Sequence, residues 1–186
     1  MNPIKNKKDF ETTIEEIKNF ALSYLEKYST SKQQLKTYLF KKIIKKSQHI
    51  SNKKEIFNLI DIVISTLVDQ KLLSDKHYSD AKSKAFLRKG YSLNKIRYNL
   101  IKKGIDKKYI LASISKIKEH ESNPDFFSAI KVCKRRRIGP NREEGNRPIF
   151  YKKDISILAR SGFSYAISKQ ILELPKEEFK KFCKMI

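Results

Sequence analysis

Breakers are scarce in this chain. It has only five glycines and five prolines among 186 residues, and no tryptophan. So few interruptions imply long helices joined by short connections. No segment alternates apolar and polar residues with period two, so no sheet is expected. No run of 18 apolar residues occurs, which excludes a membrane-spanning helix. The lysines near the start, Met1-Asn2-Pro3-Ile4-Lys5-Asn6-Lys7-Lys8, are not followed by the apolar core of a secretory signal. Cysteine is limited to Cys133 and Cys183. Two distant thiols do not build a disulfide framework, and a reducing cytoplasmic compartment is expected. Acidic residues are the other shortage: 20 Asp+Glu against 42 Lys+Arg, a formal net charge of +22. That surplus exceeds what solubility needs and points to an anionic partner.

Apolar residues recur at helical spacing through most of the chain. Residues 1–12 read as a basic, disordered tail. Thr13-Ile14-Glu15-Glu16 fits a capping box, and the first helix runs to about Tyr28. A second carries Leu35, Tyr38, Leu39 and Ile43, and Lys45-Lys46-Ser47-Gln48-His49 closes it. Asn52-Lys53-Lys54-Glu55 is a further capping signal. Behind it, Ile56, Leu59, Ile60, Val63, Ile64, Leu67 and Val68 give the broadest apolar face, the candidate centre of a core. The pattern then recurs. A helix from Asp75 to Lys89 carries Tyr78, Ala81 and Ala85; one capped by Ser92 carries Leu93, Ile96 and Leu100 and stops at Gly104. Asp106 caps another, with Ile110, Ile114 and Ile117. Asn123-Pro124 opens a helix with Phe126, Ile130 and Cys133, ended by Gly139-Pro140. A long loop is expected over 139–150, then helices carrying Leu158 up to Gly162, Ile167 and Ile171 after a Ser164 cap, and Phe179 and Phe182 after Pro175.

These sets superpose at constant offsets, Ser31, Leu35 and Leu39 on Ser92, Ile96 and Leu100, and Gly104-Ile105-Asp106 on Gly162-Phe163-Ser164. The expected fold is all-α: three tandem three-helix, hairpin-like repeats of about 60 residues in a curved, elongated array. The boundaries fall at 13–72, 73–121 and 122–186.

Chemistry-bearing constellations are lacking. His49, His77 and His120 stand apart, without metal-ligand spacing. There is no phosphate loop, dinucleotide fingerprint or nucleophile elbow. No enzyme activity and no cofactor are expected. Asp75 reads as a first-turn acid on its own helix dipole. Tyr24, Tyr28, Tyr38, Tyr78, Tyr91 and Tyr98 are able to stack on bases, but for most of them packing between helices is the simpler reading.

The candidate contact residues are basic. Lys134-Arg135-Arg136-Arg137 ends a helix; at about 100° per residue, Arg135 faces away from the apolar stripe, Lys134 and Arg136 flank it, and Arg137 reads as a helix-end residue. Lys95 and Lys102 point away from the Leu93 stripe, and Arg97 and Lys103 lie beside it. For Lys95 and Lys102 a solvated face competes with contact; for Arg97 an intramolecular ion pair does. Arg88 and Lys89, beside the Gly90 turn, meet less internal competition. Asn94 and Arg97 make a weak base-reading pattern.

Leu72-Leu73-Ser74-Asp75, Arg88-Lys89-Gly90-Tyr91-Ser92, Ile96-Arg97, Leu100 and Lys103-Gly104-Ile105 together resemble the RecX regulatory proteins of bacteria. So do Arg135-Arg136-Arg137-Ile138-Gly139-Pro140 and Ala159-Arg160-Ser161-Gly162-Phe163-Ser164-Tyr165 toward the end. The chain departs from the family where Ser74 replaces an aspartate and where Tyr28-Ser29-Thr30-Ser31 stands in place of first-repeat arginines. The resemblance implies tandem three-helix repeats and a monomer that binds the recombinase RecA and its DNA filament. It further implies inhibition of RecA ATPase, filament extension and strand exchange. Weak, non-specific contact with single- and double-stranded DNA would accompany this. The competing expectation is a basic helical DNA-binding protein or transcriptional regulator acting without RecA.

Overall fold

The computed structural model describes residues 13–46 and 53–186. The basic tail, Ser47-Gln48-His49 and the Asn52 cap therefore lie outside the described residues. Within them the fold is all-α, with ten α-helices, one short 3-10 turn and no strand. The helices are α1 Ile14–Leu25, α2 Lys32–Lys46, α3 Lys53–Asp69, α4 Asp75–Arg88, α5 Leu93–Lys102, α6 Lys107–His120, α7 Pro124–Arg136, α8 Asn146–Arg160, α9 Tyr165–Leu172 and α10 Lys176–Lys184. Two compact units result: one holds the chain up to Tyr78 together with 103–105, the other holds 79–102 and 106–186.

In the first unit α1, α2 and α3 close on one another. Ile56, Ile60, Val63, Ile64 and Leu67 of α3 form the floor, met by Ile17 and Ala21 of α1 and Leu35, Leu39 and Ile43 of α2. Burying each such side chain contributes roughly 1.5–3 kcal/mol before entropy is counted. Tyr24 stacks on Tyr38 at 4.1 Å between ring centroids. Helix α1 ends at Leu25, short of the expected Tyr28. Its N-terminus forms half of the expected capping box: Thr13 Oγ1 accepts from Glu16 N at 3.2 Å. The Glu16 carboxylate pairs instead with Lys46 Nζ at 2.5 Å.

The second unit is built around α7. Phe126, Ala129, Ile130, Val132 and Cys133 pack with Ile138, Leu158, Phe163, Ile171, Leu172 and Phe179. Two expectations are corrected here. Asn123 does not cap α7; it adopts the left-handed conformation at φ 55°, tolerable for asparagine, and Pro124 opens the helix. The expected loop over 139–150 is short, because a 3-10 turn occupies Gly139–Asn141 and α8 already begins at Asn146. Pro148 sits in the first turn of α8, where an absent N–H costs nothing. Asp154 secures the connection: its carboxylate is 1 % exposed, takes a two-pronged bond from Arg142 at 2.8 Å, and accepts from Gly139 N at 2.9 Å. Arg142 also lies over the Phe150 ring at 4.5 Å.

Helix α4 differs from its expected stripe as well. Ala81 is exposed, and Tyr78, Ser79, Ser83 and Leu87 are buried. Small serines allow neighbouring backbones close, and Ser79 Oγ meets Ser113 Oγ at 2.8 Å.

One joint is built twice. In the first unit, Ser31 Oγ accepts from Gln34 N at 3.2 Å, starting α2, and donates to Lys103 O at 2.5 Å. Lys32 N donates to Asp75 Oδ1 at 2.9 Å. In the second unit, Ser92 Oγ accepts from Lys95 N at 3.1 Å and donates to Ser161 O at 3.0 Å. Leu93 N donates to Asp125 Oδ1 at 2.7 Å. Asp75 thus caps a helix other than its own, unlike its sequence reading. Each joint closes on a glycine with positive φ: Gly104 at 71° against the Gln33 side chain, and Gly162 at 86° against Ser92 and Lys95. A Cβ at Gly162 would fall 2.5 Å from Ser92 Oγ.

Removing either carboxylate leaves a helix-start N–H without its partner. Asp75→Ala and Asp125→Ala are each expected to cost about 1–3 kcal/mol in urea unfolding. Gly162→Ala should cost at least as much, through both backbone strain and the Ser92 clash.

Candidate partner interface

The C-terminal end of α4 meets α7 in a basic corner. Arg88 and Lys89 are exposed there, as expected for contact residues. Arg135 has a structural task instead: its guanidinium donates to Lys89 O at 2.9 Å, closing the α4 end with a cation. Lys134 similarly donates from Nζ to Cys183 O at 2.9 Å, near the end of α10. Arg136 is exposed with no side-chain bond among the described residues. Arg137 is the α7 C-cap, left-handed at φ 54°, with its side chain exposed instead of packed.

Arg88, Lys131, Lys134 and Arg135, with Ile186, line one shallow cleft at this corner. Arg88 also borders a second cleft between α4 and α6, lined by Lys84, Leu87, Lys116, Ile117 and His120 among others. Asp80 at that cleft is engaged internally, accepting from Ser113 Oγ at 2.7 Å and pairing with Lys116 Nζ at 2.5 Å. Sequence reading missed Lys84, Lys131 and His120. Spacing offered the signal: Lys84 and Arg88, like Lys131 and Arg135, stand four residues apart and so share a helix face.

The remaining expected residues lie elsewhere. Lys95 is half-buried, its ammonium 4.7 Å from the Tyr91 ring centroid. Lys102 is exposed over Tyr98 at 4.6 Å. Arg97 is exposed and donates to Asn94 Oδ1 at 3.3 Å; among the described residues it makes no ion pair. Lys103 is half-buried in the first unit, its carbonyl held by Ser31. The tyrosine reading holds for Tyr24, Tyr38 and Tyr78, which pack internally, but Tyr98 is 56 % exposed beside the equally bare Ile101.

Nothing in this arrangement resembles a reaction centre. No group of three or more His, Cys, Asp or Glu able to hold a metal occurs among the described residues. Burial, and secondarily the charge of Asp154, push the Cys133 thiol up to about 12, so it is a protonated core residue at neutral pH. No helix of the described residues is long and apolar enough to cross a membrane.

By class, this is an all-helical protein that presents cationic helix ends rather than a catalytic cavity. No family model matches the chain. It is 28% identical over 159 residues to the regulatory protein RecX of Myxococcus xanthus, covering 84% of each chain. It is 24% identical over 161 residues to the regulatory protein RecX of Agrobacterium fabrum, covering 87% of this chain and 84% of that one. The fold is similar to the crystal structure of RecX from Lactobacillus salivarius, with TM-score 0.62 and 20% identity over 90% of this chain and 97% of that one. A second crystal structure, of a regulatory protein RecX, gives TM-score 0.63 at 19% identity over 87% and 72%. Sequence relatives and solved neighbours carry one name, and together they support membership of the RecX family.

The two neighbouring arginines provide a direct check. Arg135→Ala is expected to destabilise the protein by about 1 kcal/mol, seen as a lowered thermal midpoint. Arg136→Ala should leave that midpoint unchanged.

Proposed function

We propose that this protein regulates RecA, binding the recombinase and its DNA filament and mainly inhibiting ATP hydrolysis, filament extension and strand exchange. The observation that carries this reading is the likeness to two proteins named as RecX regulators over 84% of each one's length. The charge supports it: a formal +22 is drawn to a polymer of phosphates, raising the association rate and making affinity depend on salt. Arg88, Lys89, Lys131 and Arg136 supply the contact at the α4–α7 corner, where Lys134 and Arg135 hold the surface in shape. Three-helix repeats over 13–72, 73–121 and 122–186 fit the twice-built joint. The protein acts as a cytoplasmic monomer.

A second reading has its own observation. Asn94, Arg97, Tyr98, Ile101 and Lys102 are all exposed and follow helical spacing along one face of α5. Bases stack on such a tyrosine and cations take the phosphates. This face serves DNA contact, either within the filament or independently of RecA.

The filament reading is tested on preformed RecA–single-strand filaments. The protein should suppress their ATPase at levels well below RecA, whereas a simple DNA competitor acts only when it coats the strand. An unchanged ATPase at equimolar protein would exclude it. The combined change Arg88→Glu, Lys89→Glu and Lys131→Glu should weaken inhibition about tenfold with unaltered circular dichroism. Tyr98→Ala should weaken single-strand oligonucleotide binding by about 1–3 kcal/mol in a titration and leave the corner's contribution intact.

A further inference from the structure

The α4–α6 cleft differs chemically from the corner it adjoins. Its volume is about 360 Å³, at the low end of ligand clefts and suited to one or two side chains rather than a folded surface. Leu87 and Ile117 give it an apolar floor. Lys84, Arg88 and His120 stand at its rim, and none makes a side-chain hydrogen bond or ion pair among the described residues. Asp80 is already matched by Lys116, which leaves Glu121 as the acid still facing the opening. Arg88 then leads directly to the cleft lined by Lys131, Lys134 and Arg135. An apolar socket thus opens at one end of a cationic track.

We infer that this surface docks an acidic segment of a partner protein that carries one bulky apolar residue beside a run of carboxylates. The apolar residue enters between Leu87 and Ile117, and the carboxylates follow Arg88 toward Lys131 and Arg135. Nucleic acid fits less well, because a phosphate backbone makes no use of an apolar floor. The inference rests on the partner surface assigned above, although not on which protein supplies the segment. Binding energy at such surfaces concentrates on a buried anchor with a charged surround, so anchor and charge should each be necessary.

The probe is a short fluorescein-labelled peptide with a single leucine followed by alternating aspartate and glutamate, titrated by anisotropy. A second probe replaces the leucine by glycine at unchanged charge. Loss of the leucine is expected to weaken binding about tenfold, and so is the double change Lys84→Glu with Arg88→Glu. Lys41→Glu with Lys45→Glu, an equal charge change on exposed α2 positions, should have a much smaller effect. Equal binding of the two probes would overturn the inference, leaving diffuse charge attraction. So would equal loss from the two double variants. An oligothymidylate that binds with the same dependence on Lys84 and Arg88 and excludes the peptide would assign the surface to nucleic acid instead. Filament ATPase inhibition is measured in parallel. Inhibition that persists without leucine-dependent peptide binding sinks this inference alone, and peptide binding without inhibition sinks the RecA reading alone.

Discussion

A helix must start somewhere, and its first N–H groups have no partner within the helix itself. In this chain two helix starts, those of α2 and α5, are completed by groups distant in sequence: a serine hydroxyl already capping the helix reaches a carbonyl beside a remote glycine, and an aspartate from another helix accepts the first N–H. The arrangement couples local folding to tertiary assembly. Neither helix is fully satisfied until its neighbour arrives, so each joint specifies its partner as well as adding stability. The apolar cores around α3 and α7 supply most of the driving force. They are tolerant of small rotations, whereas hydrogen bonds of about 3 Å with directional donors are not. The joints therefore fix the placement that the cores merely favour.

The basic surface follows from the same helix-end physics. Carbonyl groups at the ends of α4 and α10 need donors, and Arg135 and Lys134 provide them. Cations used in this way are held in position, and their charge still contributes to the local field. Arg88 and Lys89 then project from a corner whose geometry is set by those bonds. Holding the framework with some cations and leaving others bare gives a rigid positive surface at modest entropic cost, since the long side chains that structure the corner are ordered before any partner arrives.

Much of the fold was legible because it rests on helical spacing. The α3 face, the Ser92 and Asp106 caps, the Gly104 stop and the Phe126 stripe all appear as expected. The equivalence of Ser31 with Ser92 and of Gly104 with Gly162 was visible as an offset, and the structure gives it a cause: those residues form the joints. What could not be read were interactions whose partners lie far apart in sequence. Asp75 looks like an acid serving its own helix, and only the neighbouring N–H shows otherwise. Arg135 looks like the most exposed cation of its run until the Lys89 carbonyl is placed beside it. The α8 start was hidden for a related reason. Gly145 and Pro148 signal a loop, and the Arg142–Asp154 pair that holds this segment in order has no local signature. In α4, serines on the buried face defeated a stripe drawn from apolar residues alone.

The joints make half of their bonds with main-chain atoms. Position 32 is lysine and its counterpart 93 is leucine; 103 is lysine and its counterpart 161 is serine. At these places only the amide or carbonyl matters, so the side chains are free to drift. The seam's true requirement is one hydroxyl, one carboxylate and one residue without a Cβ. A scaffold with so short a list of obligations can keep its architecture while most of its letters change.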